Sequence, residues 1–176
     1  MLQASKRILV IHFFCGEHIS AATDENANPM AMMNSLLAQL LMQYPDFEIS
    51  GQDLAEVSRD TLDNVVRLFR KLVGQLPPST MLFCVVDGIS LYEDSVRLGE
   101  TQQVMRELTA LTGERDGPVF KVMLTSVTRI KHPPERLKQD DILALPRSVP
   151  PQSQFSPSKW ESQVGSYFNE AESGAV

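Results

Sequence analysis

The chain has 176 residues and a mass of 19.7 kDa, enough for one domain that buries roughly 70% of its unfolded surface and too little for two. Hydrophobic residues at 43% and charged residues at 22% are globular values, which exclude disorder as the state of the whole chain. A formal charge of -6 without a Lys or Arg cluster excludes a nucleic-acid face, and two cysteines without CxxC spacing, Cys15 and Cys84, exclude a disulfide scaffold.

Arg7 to Phe14, RILVIHFF, is dense in β-branched and aromatic residues and shows no alternation. That pattern predicts an interior strand covered on both faces. It is too short for a membrane span and no small-residue cleavage site follows, so a cytoplasmic protein with no membrane contact is expected. The polar stretch CGEHISAATDENAN reads as a loop, and Asn28-Pro29 as a helix cap with proline in the first turn. The spacing of Met33, Leu36, Leu37, Leu40 and Leu41 predicts a helix over 29–43, stopped by Tyr44-Pro45.

A second helix is predicted over 61–76, with Leu62, Val65, Val66, Phe69, Leu72, Val73 and Leu76 at helical spacing. Asp60 can cap it, and Arg70 and Lys71 suit its C-terminal dipole. Met81 to Val86 is a second unbroken apolar strand, stopping at Asp87. A helix over about 100–112 and a strand from Val119 to Leu124 follow, the strand ending in Thr125-Ser126. Strands alternating with amphipathic helices predict an α/β fold with a mostly parallel sheet of about four strands.

The fourth strand expected is Ile142 to Leu145, in a region where proline becomes frequent: six of the chain's 11 prolines fall between Pro133 and Pro157. A first domain over 1–145 is therefore expected, then a proline-rich segment over 146–176 with a short closing helix carrying Trp160, Val164 and Tyr167 or Phe168.

In a parallel α/β sheet, ligands bind outside the carboxyl ends of the strands. The residues there are Cys15, Asp87 and the pair Thr125-Ser126. A lone Asp at a strand end is more often a turn former than a ligand. Asp87 rises above that because a second apolar strand, ending in two hydroxyl residues, follows one amphipathic helix later.

The order VIHFFC, MNSLLAQLLMQYP, LFCVVDGIS and PVFKVMLTS resembles the nucleotide-binding domain of the STAND class of P-loop NTPases, close to the NACHT-like versions abundant in fungi. The resemblance covers most of residues 7 to 145. It implies that Asp87 is a Walker B-like carboxylate orienting magnesium, and that Thr125, Ser126 and Arg129 are sensor-like, near the terminal phosphate. It also implies that Gly88 stands where active relatives carry an acidic residue, with Glu93 and Asp94 as distant substitutes. The family's central strand, between those matched by FKVMLT and ILAL, carries the phosphate-binding loop upstream of RILVIHFF.

None of the nine glycines is followed by lysine, so the GxxxxGK[ST] cradle is absent. No catalytic residue is assigned, and no cofactor is expected for the isolated chain; Mg-ATP or Mg-GTP is expected only if a P-loop is supplied upstream. A sheet lacking its central strand keeps an exposed apolar edge, so a protein partner or self-association is expected.

His12, His18 and His132 lack metal-ligand spacing; His12 is expected in the core or hydrogen-bonded and the other two exposed. Ser90 lacks a GxSxG elbow. Met30, Met32 and Met33 read as core filling before they read as a pliable binding surface. Three functional readings stand open: a truncated or degenerate STAND-like domain acting through protein interaction, a piece of a longer competent NTPase, and an unrelated small α/β binding module.

Overall fold

The computed structural model describes residues 7–59, 61–113 and 117–144. Three strands, β1 (Arg7–Phe14), β2 (Thr80–Asp87) and β3 (Val119–Leu124), form a parallel sheet in the order β1-β2-β3. The helices α1 (Pro29–Gln43), α2 (Gly51–Val57), α3 (Leu62–Gln75) and α4 (Leu98–Leu111) connect them. Because the strand order runs in one direction, right-handed crossovers bring every connection to the same face.

Burial follows from that topology. Leu9, Ile11 and Phe13 of β1 align with Leu82, Cys84 and Val86 of β2, and all are buried with Met32, Met33, Leu36, Leu40, Phe69, Leu72, Met105 and Leu108 from the helices. Met32 and Met33 thus fill the core, as their spacing predicts. Asn28 caps α1 through a bond from the Ala31 N–H to its side-chain oxygen (2.8 Å), with Pro29 in the first turn.

The opposite face of the sheet is bare. Ile8 (63% exposed), Val10, Phe14, Phe83, Val119 and Met123 (54%) are exposed on it, with Met81 and Val85 half-buried between them. This corrects the expectation that RILVIHFF is interior: among the described residues β1 pairs only with β2, and its burial alternates. An apolar run records that both sides of a strand are oily, and here no described residue forms a layer against one of them. His12 lies on this bare face, exposed, with its ring 5.1 Å from that of Phe14, rather than in the core.

The far edge of β1 is nevertheless closed at its middle. The Gln43 side-chain amide accepts from Val10 N (3.1 Å) and donates to Val10 O (2.7 Å), and that of Gln39 does the same at His12 (3.0 and 2.7 Å).

Of the expected fourth strand, Ile142, Leu143 and Ala144 are not in a strand, so the sheet has three strands among the described residues. Leu145 and the closing helix around Trp160 lie outside the described residues, as does Asp60; Thr61 is the N-cap of α3 and makes no side-chain cap bond. The chain separates into two compact units, residues 1–139 and 140–176. The first holds the three strands and four α-helices found among the described residues. No described helix is long and apolar enough to cross a membrane.

Helix α2 escapes hydrophobic periodicity because it buries nothing; a capping box between Ser50 and Asp53 starts it. Asp53 also accepts from Lys71 Nζ at 2.6 Å, so Lys71 ties α2 to α3 rather than serving the end of its own helix. The bonds from Lys71 and then Ser50 hold the Asp53 carboxyl down to about 2. A carboxyl whose folded value lies below its unfolded value stabilises above the unfolded value and loses that contribution as pH falls through the folded one. Helical backbone shifts of α2 are therefore expected to disappear between pH about 4 and about 2 while those of α3 persist. NMR titration checks this, and an α2 that melts together with α3 would contradict it.

Candidate functional site

β2 ends in Asp87, and Gly88 turns the chain out of the sheet with φ of +73°. A side chain there would be strained by that left-handed conformation, and its Cβ would lie 3.2 Å from Leu91 Cδ1. The turn has a use: Gly88 N donates to Thr125 Oγ1 (2.9 Å), and that hydroxyl donates onward to Asp87 Oδ1 (2.5 Å). Backbone bonds from Thr125 N to Val86 O (2.9 Å) and from Ile89 N to Thr125 O (3.0 Å) hold Thr125 in place. The hydroxyl's one proton is committed to Asp87, so Thr125 orients the carboxylate.

The structure brings Asp87 and Thr125 together and leaves the other two sensor-like residues aside. Ser126 turns its hydroxyl to the Thr128 carbonyl, and Arg129 is exposed. Cys15 is buried nearby; burial first, and the charge of Asp87 second, push its thiol up to about 12, so it is a neutral thiol and not a nucleophile. Burial pushes the Cys84 thiol up to about 12 as well.

Glu93 and Asp94, the distant acidic candidates, are engaged in structure. Glu93 is buried and accepts from the N–H groups of Lys131 (2.9 Å) and His132 (3.4 Å), fastening the segment after β3. Asp94 accepts from Arg97 N (2.9 Å) and Nε (2.6 Å) at the start of α4.

Sequence reasoning missed Arg97. Its side chain is 12% exposed and lies over the Tyr92 ring (4.4 Å to the centroid). It donates to the carbonyls of Ile19 (3.2 Å), Ala27 (3.0 Å) and Leu91 (3.1 Å). Tyr92 Oη donates to His18 O (2.9 Å). His18, expected to be solvent-exposed, is instead partly covered: it stacks on Phe13 and bonds Asp24 at 2.7 Å, which holds the Asp24 carboxyl below its ordinary value. The only trace of this clasp in the sequence is Asp94 three residues before Arg97, a spacing common on any helix.

The donor set does not fit a magnesium nucleotide unaided. Asp87 is a single carboxylate with one oxygen already engaged, and no group of three His, Cys, Asp or Glu side chains able to hold a metal is found among the described residues. No backbone cradle or lysine for the phosphates accompanies it. Of the assigned residues, Asp87 is the one carboxylate.

A parallel α/β sheet with a Thr-oriented Asp at its carboxyl end, helices on one face and the other face bare, is consistent with a P-loop-like core lacking a strand. Residues 1–127 match the family model described as Nephrocystin 3, N-terminal, and the chain belongs to that family. No curated protein and no solved structure matches it.

Proposed function

We propose that this chain is a STAND-class, NACHT-like domain that neither binds nor hydrolyses nucleotide by itself and acts through protein contact. The nephrocystin-3 family is STAND-related, which supports the class. The observation that carries the contact role is the bare apolar face. Parallel sheets are normally covered on both sides, whereas Ile8, Val10, Phe14, Phe83, Val119 and Met123 meet solvent here.

Two strands of eight residues and one of six, about 4.8 Å apart and about 3.3 Å per residue, give a face of about 350 Å². That reaches the size at which an exposed patch marks an interaction site, and it is under half of the ~800 Å² per partner of a standard interface. A partner therefore touches more than the face, and the neighbouring edge of β3, which no described residue pairs, is the adjoining surface.

The Asp87–Thr125 geometry favours a second reading, in which the chain is part of a longer NTPase whose P-loop lies upstream; Mg-ATP or Mg-GTP would then be its ligand. Titration calorimetry with Mg-ATP and Mg-GTP on wild type and Asp87→Ala tests the first reading. No binding is expected at sub-millimolar ligand, because one carboxylate without a cradle leaves the phosphate charge uncompensated. Tight binding that Asp87→Ala abolishes would overturn it, and a GxxxxGK[ST] in frame upstream of Met1 would decide for the second reading.

A further inference from the structure

The two edges of the sheet are treated differently. A strand edge presents alternate N–H and C=O groups to any chain that can pair with them. On β1 the outward groups of Val10 and His12 are each met by both ends of a side-chain amide, four bonds of 2.7 to 3.1 Å from Gln43 and Gln39. Glutamine suits this: its amide carries a donor and an acceptor side by side, as the backbone of a neighbouring strand does. Gln39 and Gln43 are one helical turn apart, about 6 Å along α1, close to the two-residue repeat of a strand. The pair is thus in step with the edge it covers. On β3 no such device exists among the described residues, and by strand alternation the backbone groups of Phe120 and Val122 point away from β2.

We infer that Gln39 and Gln43 act as an edge block that prevents one copy of this chain from adding its β3 edge, which no described residue pairs, to the β1 edge of the next. The occupant excluded is a second copy, because both edges belong to parallel strands running in the same direction. A β3-to-β1 contact would continue the sheet with its native polarity and bring the bare faces into one surface. Such a contact is head-to-tail and does not close, so it yields chains of indefinite length, whereas pairing through β3 alone stops at two. The block removes the unlimited mode and leaves the β3 edge untouched. This inference rests on the first reading of function, since under the second an upstream P-loop strand would pair with the β3 edge; the measurements that test it involve no nucleotide, so the two fail separately.

Amide hydrogen exchange on the 176-residue chain, at a concentration where it is monomeric, tests the block directly. Val10 and His12 are expected to exchange at least about tenfold more slowly than Phe120 and Val122, in spite of lying on an edge. Equal rates would overturn the inference, and this measurement requires no variant. Gln39→Leu/Gln43→Leu keeps good helix formers and removes all four bonds. With native circular dichroism, it is expected to lose the protection at Val10 and His12 when dilute, and to form assemblies larger than dimers as concentration rises in sedimentation velocity. A folded double variant that stays in the wild-type state of association would sink it.

Discussion

Arg97→Ala is expected to lower the stability of the domain by about 3 kcal/mol, as for removal of a largely covered, multiply bonded cation. The guanidinium joins three segments: the loop between β1 and α1 through Ile19 and Ala27, the turn after β2 through Leu91, and the start of α4 through Asp94. Truncation leaves those carbonyls without their donor, uncovers the Tyr92 ring beneath, and leaves Asp94 without its side-chain partner. Against a typical total of 5–15 kcal/mol, such a loss is large.

Urea denaturation gives the magnitude, and hydrogen exchange gives the place. Amides of the loop 15–28 should lose protection before those of α1 and α3, because the loop has few other anchors, chief among them Tyr92 Oη on His18 O. Arg97→Lys should recover only part of the loss, since one ammonium cannot reach three diverging carbonyls and stack on the ring together. A change below about 1 kcal/mol for Arg97→Ala would show that the clasp is a surface decoration.

How much of this was legible in the sequence divides along physical lines. β2, β3 and the three long helices were readable because apolar spacing is a local property, and α1, α3 and α4 bury the stripes that spacing marks. Asp87 was readable as one strand end and Thr125-Ser126 as the next, whereas the bond that singles out Thr125 from Ser126 was not. What local pattern does not contain is the number of layers. RILVIHFF has the composition of a strand covered twice, and the second cover is not supplied by any described residue. Gln39 and Gln43 look like the polar side of an amphipathic helix, and their pairing with Val10 and His12 exists only once α1 packs across β1. Glu93 likewise reads as a solvent residue and proves to be buried on two backbone N–H groups 38 and 39 residues away.

Phe83→Lys is expected to weaken association of the chain about 10- to 100-fold while leaving its fold intact. Phe83 stands at the middle of the bare face, in register with Val10 on one side and Lys121 on the other. Covering a phenyl ring contributes about 1.5–3 kcal/mol, and a lysine in its place adds the cost of desolvating a charge at the contact. The free chain loses little by the exchange, because the ring is 36% exposed and its neighbour Lys121 already keeps a charge on that face. Leu82→Lys, one residue earlier and pointing into the helices, is the contrasting case: Leu82 is fully buried, and a charge there should unfold the domain. Sedimentation equilibrium with matched circular dichroism separates the two. Were the wild-type chain strictly monomeric at high concentration, and were its capture of an apolar dye unchanged by Phe83→Lys, the bare face would be a solvated surface with no contact role. The opposite pattern, with association lost at Phe83 and the fold lost at Leu82, would assign the two faces of one strand to two different tasks.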